Sequence, residues 1–124
     1  MNEPEFFSQL KAVGIDIDTA LERFMGNQGL YVRFLLQLPE MLDFEAMRQS
    51  LEAQDQEAFY HQIHTLKGTA ANLGVSAVSD CAHAILAGLR TGGFRNMKKL
   101  QELLKEIETE SERVVDTIHY YKGA

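Results

Sequence analysis

The residues of this chain best suited to do chemistry lie between positions 61 and 74: His61-Gln62-Ile63-His64-Thr65-Leu66-Lys67-Gly68-Thr69-Ala70-Ala71-Asn72-Leu73-Gly74. Phe59, Ile63, Leu66, Ala70 and Leu73 recur at intervals of four and three, the apolar stripe of a helix that faces a core. Each residue of such a helix turns by about 100°, which sets His64 to one side of the stripe and puts His61, Lys67, Gly68 and Ala71 on its face. Gly68 is the anomaly. Glycine inside a helix costs about 1 kcal/mol relative to alanine, so a glycine one turn from a histidine implies a compensating use. Its missing side chain lets another molecule's backbone or a bulky group reach the imidazole, and Lys67 supplies a cation for an anion on the ring nitrogen. Histidine, lysine and glycine in this order point to a site for a transferable phosphoryl group. Histidine ordinarily titrates near about 6.5, so at neutral pH most of it carries a free lone pair and needs no general base.

The elements that must position these residues belong to a chain of 124 residues, the size of one domain, which is read as spanning 1–124. It is 45% apolar and 24% charged with a mean hydropathy of −0.21, the composition of a soluble globular protein with a real core. A net charge of −6 and a pI near 5.1 argue against a nucleic-acid backbone or an anionic membrane as the main ligand. Residues 94–124 hold six basic and six acidic side chains, so the whole excess of acid lies in residues 1–93. Cys81 stands alone and cannot form an internal disulfide, which suits a reducing compartment and predicts a cytoplasmic location. Met1-Asn2-Glu3-Pro4-Glu5 opens neither a secretory signal nor a transit peptide. Phe34-Leu35-Leu36-Gln37-Leu38, the most apolar run, is far below the ~20 residues a membrane span needs.

No period-two alternation long enough for a sheet appears, and helical spacing dominates. Asp18 or Thr19 is expected to cap a short helix through Phe24, with Thr19 and Glu22 spaced as a capping box and Gly26 to Gly29 turning the chain. Leu30, Phe34, Leu38, Met41, Leu42 and Leu51 predict a long helix that Pro39 must kink or restart. After the helix that Gly74 ends, Val78, Cys81, Ile85 and Leu89 form the next stripe, which stops at Thr91-Gly92-Gly93. Met97, Leu100, Leu104, Ile107, Val114 or Val115, and Ile118 form the last. Short connections predict antiparallel neighbours. The expected fold is all-α, an up-and-down antiparallel four-helix bundle with helices near 29–51, 55–73, 76–91 and 94–121 and a short extra N-terminal helix.

His64-Thr65-Leu66-Lys67-Gly68-Thr69-Ala70-Ala71-Asn72-Leu73-Gly74 resembles the signature of histidine-containing phosphotransfer (HPt) domains: a His, Lys-Gly three and four residues on, and a Gly ten residues after the His. Asp18 to Gly26, followed by Leu30-Tyr31, is similar to the family's amino-terminal helix and turn, so the resemblance covers roughly residues 15–92. Val78 and Ile85 stand where the family commonly has leucines, and Leu86 where Glu is frequent. The resemblance implies a relay in a multistep two-component system. His64 would take a phosphoryl group from a receiver-domain aspartate and pass it to another, Lys67 would steady the phosphoryl oxygens, and Gly68 would leave room for the receiver. Ala71 and Asn72 would border the docking surface, with His61 lining it. The implied partners are response-regulator receiver domains and a hybrid sensor histidine kinase. The chain needs no cofactor of its own, magnesium being expected on the receiver.

Neither Gly-x-x-x-x-Gly-Lys-Ser/Thr nor Gly-x-Gly-x-x-Gly occurs, so phosphorylation from ATP by the chain itself is not expected. His61 and His64 make an i, i+3 pair without the third ligand a zinc site usually has, and no metal is expected. His83 and His119 lack a motif and are read as structural or solvent-facing. Cys81 in an apolar stripe behaves as a small hydrophobe. An apolar patch drawn from Phe34 to Met41 and Tyr60 is expected to stay open near His64 for a partner. The competing function is a helical adaptor that docks a receiver or kinase without carrying phosphate. A monomer is expected, because a bundle of this size can satisfy its own core.

Overall fold

The computed structural model describes residues 1–123. Those residues form eight helices and no strand: α1 (Glu3–Ala12), α2 (Ile17–Arg23), α3 (Gln28–Leu35), α4 (Leu38–Met41), α5 (Phe44–Glu52), α6 (Gln56–Leu73), α7 (Ser76–Gly92) and α8 (Met97–Gly123). One device starts six of them. Asn2, Asp16, Asn27, Asp43, Asp55 and Asn96 each turn a side-chain oxygen onto the backbone N–H three residues on, at 2.9–3.2 Å, satisfying a donor the helix cannot pair internally. At Asp16 the hydroxyl and backbone N–H of Thr19 hold the carboxyl below its ordinary pKa.

α6 lies against α7, α7 against α8, and α5 packs on both α6 and α8, so these four share one core. α1 packs on α8 and α2, while α2 and α3 both reach α6. The stripe of α6 is buried as its spacing predicts, with Phe59 and Ile63 fully covered. On α7 the core face is Val78, Ala82, Ile85, Leu86 and Leu89, and Cys81 sits half-buried at its edge. Leu86 is a core residue, which accounts for an apolar side chain where an acidic one is frequent. On α8, Val114 rather than Val115 faces inward, and Ser111 fills the interval the apolar pattern leaves open.

Four expectations need correction. The helix expected over 29–51 is three helices, because Leu42 is extended (φ −98°, ψ 106°) and Asp43 caps a new start. Its buried face is Tyr31, Val32, Leu35, Leu38, Met47 and Leu51, while Phe34 is exposed. The N-terminal piece is two helices. α1 starts from Asn2 with Pro4 in its first turn and buries Phe6 and Leu10, and Phe6 stacks on Tyr121 of α8 at 4.0 Å. The cap of α2 is Asp16, not Asp18 or Thr19. The last helix begins at Met97 and not at 94, because Asn96 caps it.

The C-terminus of α6 is where the N-terminal segment matters most. Gly74 takes the left-handed conformation (φ +79°, ψ 14°), and Val75 N–H closes back on the Ala70 carbonyl at 2.8 Å. The Asp16 N–H donates to Gly74 O at 2.8 Å, the Tyr31 hydroxyl to Leu73 O at 2.8 Å, and Arg23 Nη1 to Ala71 O. A β-carbon at Gly74 would collide with the Asp16 carbonyl. Burial raises the pKa of Tyr31, keeping its hydroxyl a neutral donor.

Gly74→Ala is therefore expected to destabilise the fold by about 2 kcal/mol or more, strain and collision together, read as a lower denaturant midpoint. Tyr31→Phe keeps the ring but strands the Leu73 carbonyl, for an expected loss of about 1–2 kcal/mol. An unchanged midpoint in the phenylalanine variant would show that the hydroxyl contributes nothing to holding the end of α6.

Candidate functional site

α6 carries the candidate residues, and its two ends are held: Asp55 caps the start, and the N-terminal segment covers the last carbonyls. Burying Phe59, Ile63, Leu66, Ala70 and Leu73 fixes the helix's rotation about its axis. The opposite side must then face out. His61, His64, Gly68 and Asn72 are exposed, and Lys67 and Ala71 are half-buried beside them. All six residues expected from the sequence thus lie on the outward side of one helix.

The surroundings of Gly68 separate it from Gly74. A β-carbon built at Gly68 meets nothing within 4 Å, and its backbone is ordinary helix. The fold does not require a glycine there. Lys67 makes no ion pair among the described residues, so its ammonium is not committed to the chain's own carboxylates.

Two contacts near His64 were not foreseen. Tyr60, one turn earlier, stacks on the imidazole with ring centroids 5.9 Å apart and planes 19° from parallel. Its spacing of four residues was a legible signal that the two rings meet. Arg23 reaches α6 from α2 at Ala71, two turns beyond His64, and nothing in the local sequence announces a contact across 48 residues.

Hollows flank the exposed face. One, open and of about 630 Å³, is lined by Tyr60, His61, His64, Gln56 and Glu57. A groove of about 380 Å³ brings Asn72 together with Arg23, Phe34, Met41 and Thr69. Phe34, Met41 and Tyr60 are 42%, 47% and 36% exposed, so the apolar patch expected from the sequence does remain open. Asn72 lines the groove that holds its Phe34 and Met41, and Tyr60 lies against His64.

His83 on α7 and His119 on α8 are exposed. Burial, with Glu106 next in effect, pushes the Cys81 thiol up to about 11, so it stays protonated at neutral pH and is a weak nucleophile. Among the described residues no group of three or more His, Cys, Asp or Glu side chains could hold a metal ion, and no helix is long and apolar enough to cross a membrane.

Comparison with known proteins matches the Hpt domain family model to residues 29–117, from the start of α3 to near the end of α8. No curated protein and no solved structure gives a significant match. Domains of this family are phosphotransfer carriers rather than kinases, and they interact with receiver domains in phosphorelays. A match that runs through most of the chain and takes in the helix with His64, Lys67 and Gly68 on its open side places this protein in the Hpt domain family.

Proposed function

We propose that the protein relays a phosphoryl group through His64, taking it from the aspartate of one receiver domain and giving it to the aspartate of another. The observation that carries this reading is an exposed imidazole with an uncommitted lysine three residues on and open space at the glycine four residues on. The lone pair of one ring nitrogen forms the phosphorus–nitrogen bond as the bond to the aspartate oxygen breaks, and the carboxylate leaves with its electron pair. Transfer onward is the reverse of this step at a second receiver.

Such a reaction rests on positioning and charge neutralisation. Lys67 steadies the phosphoryl oxygens, and the vacancy at Gly68 admits the receiver's backbone. Magnesium belongs to the receiver. The receiver covers His61, Ala71 and Asn72 and extends over the groove beside Asn72, where Phe34 and Met41 give it apolar area and Arg23 a cation. The sharing of one core by α5, α6, α7 and α8 supports an up-and-down antiparallel arrangement of these four, with α6 presented on its open side.

Incubation with a phosphorylated receiver and magnesium is expected to label the wild type with acid-labile, base-stable phosphate. His64→Gln should fold normally and take up none; retained label would move the site to another histidine. Receiver binding without label on the wild type would favour the adaptor reading. Gly68→Gln is expected to keep or raise helicity while slowing transfer by on the order of tenfold or more, since a small displacement of reacting groups is costly in rate. Unchanged transfer in that variant would remove the steric explanation of this glycine.

A further inference from the structure

We propose that Tyr60 is a positioning residue for His64, its ring holding the imidazole by stacking so that the ring nitrogens stay presented to the incoming phosphoryl group. The proposal rests on His64 being the phosphoryl acceptor and adds a residue to that site. Among the described residues no side-chain hydrogen bond or ion pair reaches the His64 ring, and the ring is exposed. Neither burial nor a polar partner orients it. The Tyr60 ring does, at 5.9 Å between centroids and 19° from parallel.

The geometry of an imidazole makes a stacked neighbour the right kind of restraint. Its nitrogen lone pairs lie in the ring plane and point from the edge, so a ring laid on the flat face limits rotation without covering a nitrogen. One turn to the other side of His64, Gly68 offers nothing within 4 Å of a β-carbon. The imidazole is thus backed by an aromatic wall toward the start of α6 and open toward its end. Rotamer freedom removed before the encounter is entropy that the transition state need not lose.

The wall also suits the charge the reaction creates. When one ring nitrogen bonds to phosphorus and the aspartate carboxylate departs, the ring is left cationic, its other nitrogen still protonated, until that proton passes to water. The electron-rich face of a tyrosine attracts such a cation. Tyr60 therefore favours the same ring before transfer and as charge develops.

The test compares Tyr60→Phe, which keeps the ring and loses the hydroxyl, with Tyr60→Leu, which keeps bulk and loses the ring. Two quantities are read: the NMR shifts of the His64 ring protons in the unphosphorylated protein, and the single-turnover rate of transfer from a phosphorylated receiver at saturating receiver. Tyr60→Leu is expected to lose the ring-current shift of the His64 protons and to slow transfer about three- to tenfold, the range of one aromatic–cation contact. Tyr60→Phe should restore both. The proposal is overturned if Tyr60→Leu transfers like the wild type, or if Tyr60→Phe is as slow as Tyr60→Leu, which would assign the effect to the hydroxyl. A wild type that takes up no phosphate overturns the relay reading and the positioning role with it, whereas an absent ring-current shift in a wild type that does take up phosphate sinks only the stack.

Discussion

The arrangement of the site depends on how the end of α6 is satisfied. A helix leaves its last carbonyls without internal partners, and a buried end without substitutes is costly. Here three separate donors reach three of them: the Arg23 guanidinium at Ala71, the Tyr31 hydroxyl at Leu73 and the Asp16 backbone N–H at Gly74. All come from the segment that precedes α4. These bonds tie α2 and α3 to the helix that carries His64 and fix its axis at that end, while Asp55 caps its first turn at the other. A reaction that works by position needs a carrier that does not shift, and this helix is held by polar bonds from α2 and α3 at its end and by its buried stripe.

The two glycines of the motif then have opposite physical reasons. Gly74 is required by the chain itself, since its left-handed backbone and the Asp16 carbonyl above it leave no room for a β-carbon. Gly68 meets no such demand, and alanine there would improve the helix by about 1 kcal/mol. The match to the family begins at residue 29, so two of the three donors at the end of α6, Asp16 and Arg23, lie before the matched region. The same short motif thus joins a glycine that this chain's own packing requires with one that it does not.

Much of this was legible because it is local. The stripe of α6 needs only spacing. What escaped was what depends on distant partners. α1 buries only Phe6 and Leu10 out of ten residues, too thin a pattern to read until Tyr121 and α8 are seen to cover it. Asp16 rather than Asp18 starts α2 because its backbone is also engaged by Gly74, 58 residues away. The helical spacing across 29–51 survived the break at Leu36 to Asp43, since apolar residues in a turn and in a short helix can keep that interval by chance. The pattern therefore missed Tyr31, which the core covers completely.

That break has a consequence for the surface. By ending α3 at Leu35 and the short α4 at Met41 before α5 starts at Phe44, the chain leaves Phe34 and Met41 off the core, beside Asn72 and Thr69 of α6. Apolar area left in water forgoes about 25 cal/mol per Å² that burial would return, so a patch of this kind next to a chemically equipped helix is stable only at some cost to the isolated molecule. A partner seated on these residues would recover that cost. Phe34 of α3 and Met41 at the end of α4 thus lie open beside the helix that carries His64. Patch and helix are adjacent because Asp16, Arg23 and Tyr31 hold the chain before the break against the end of the helix after it.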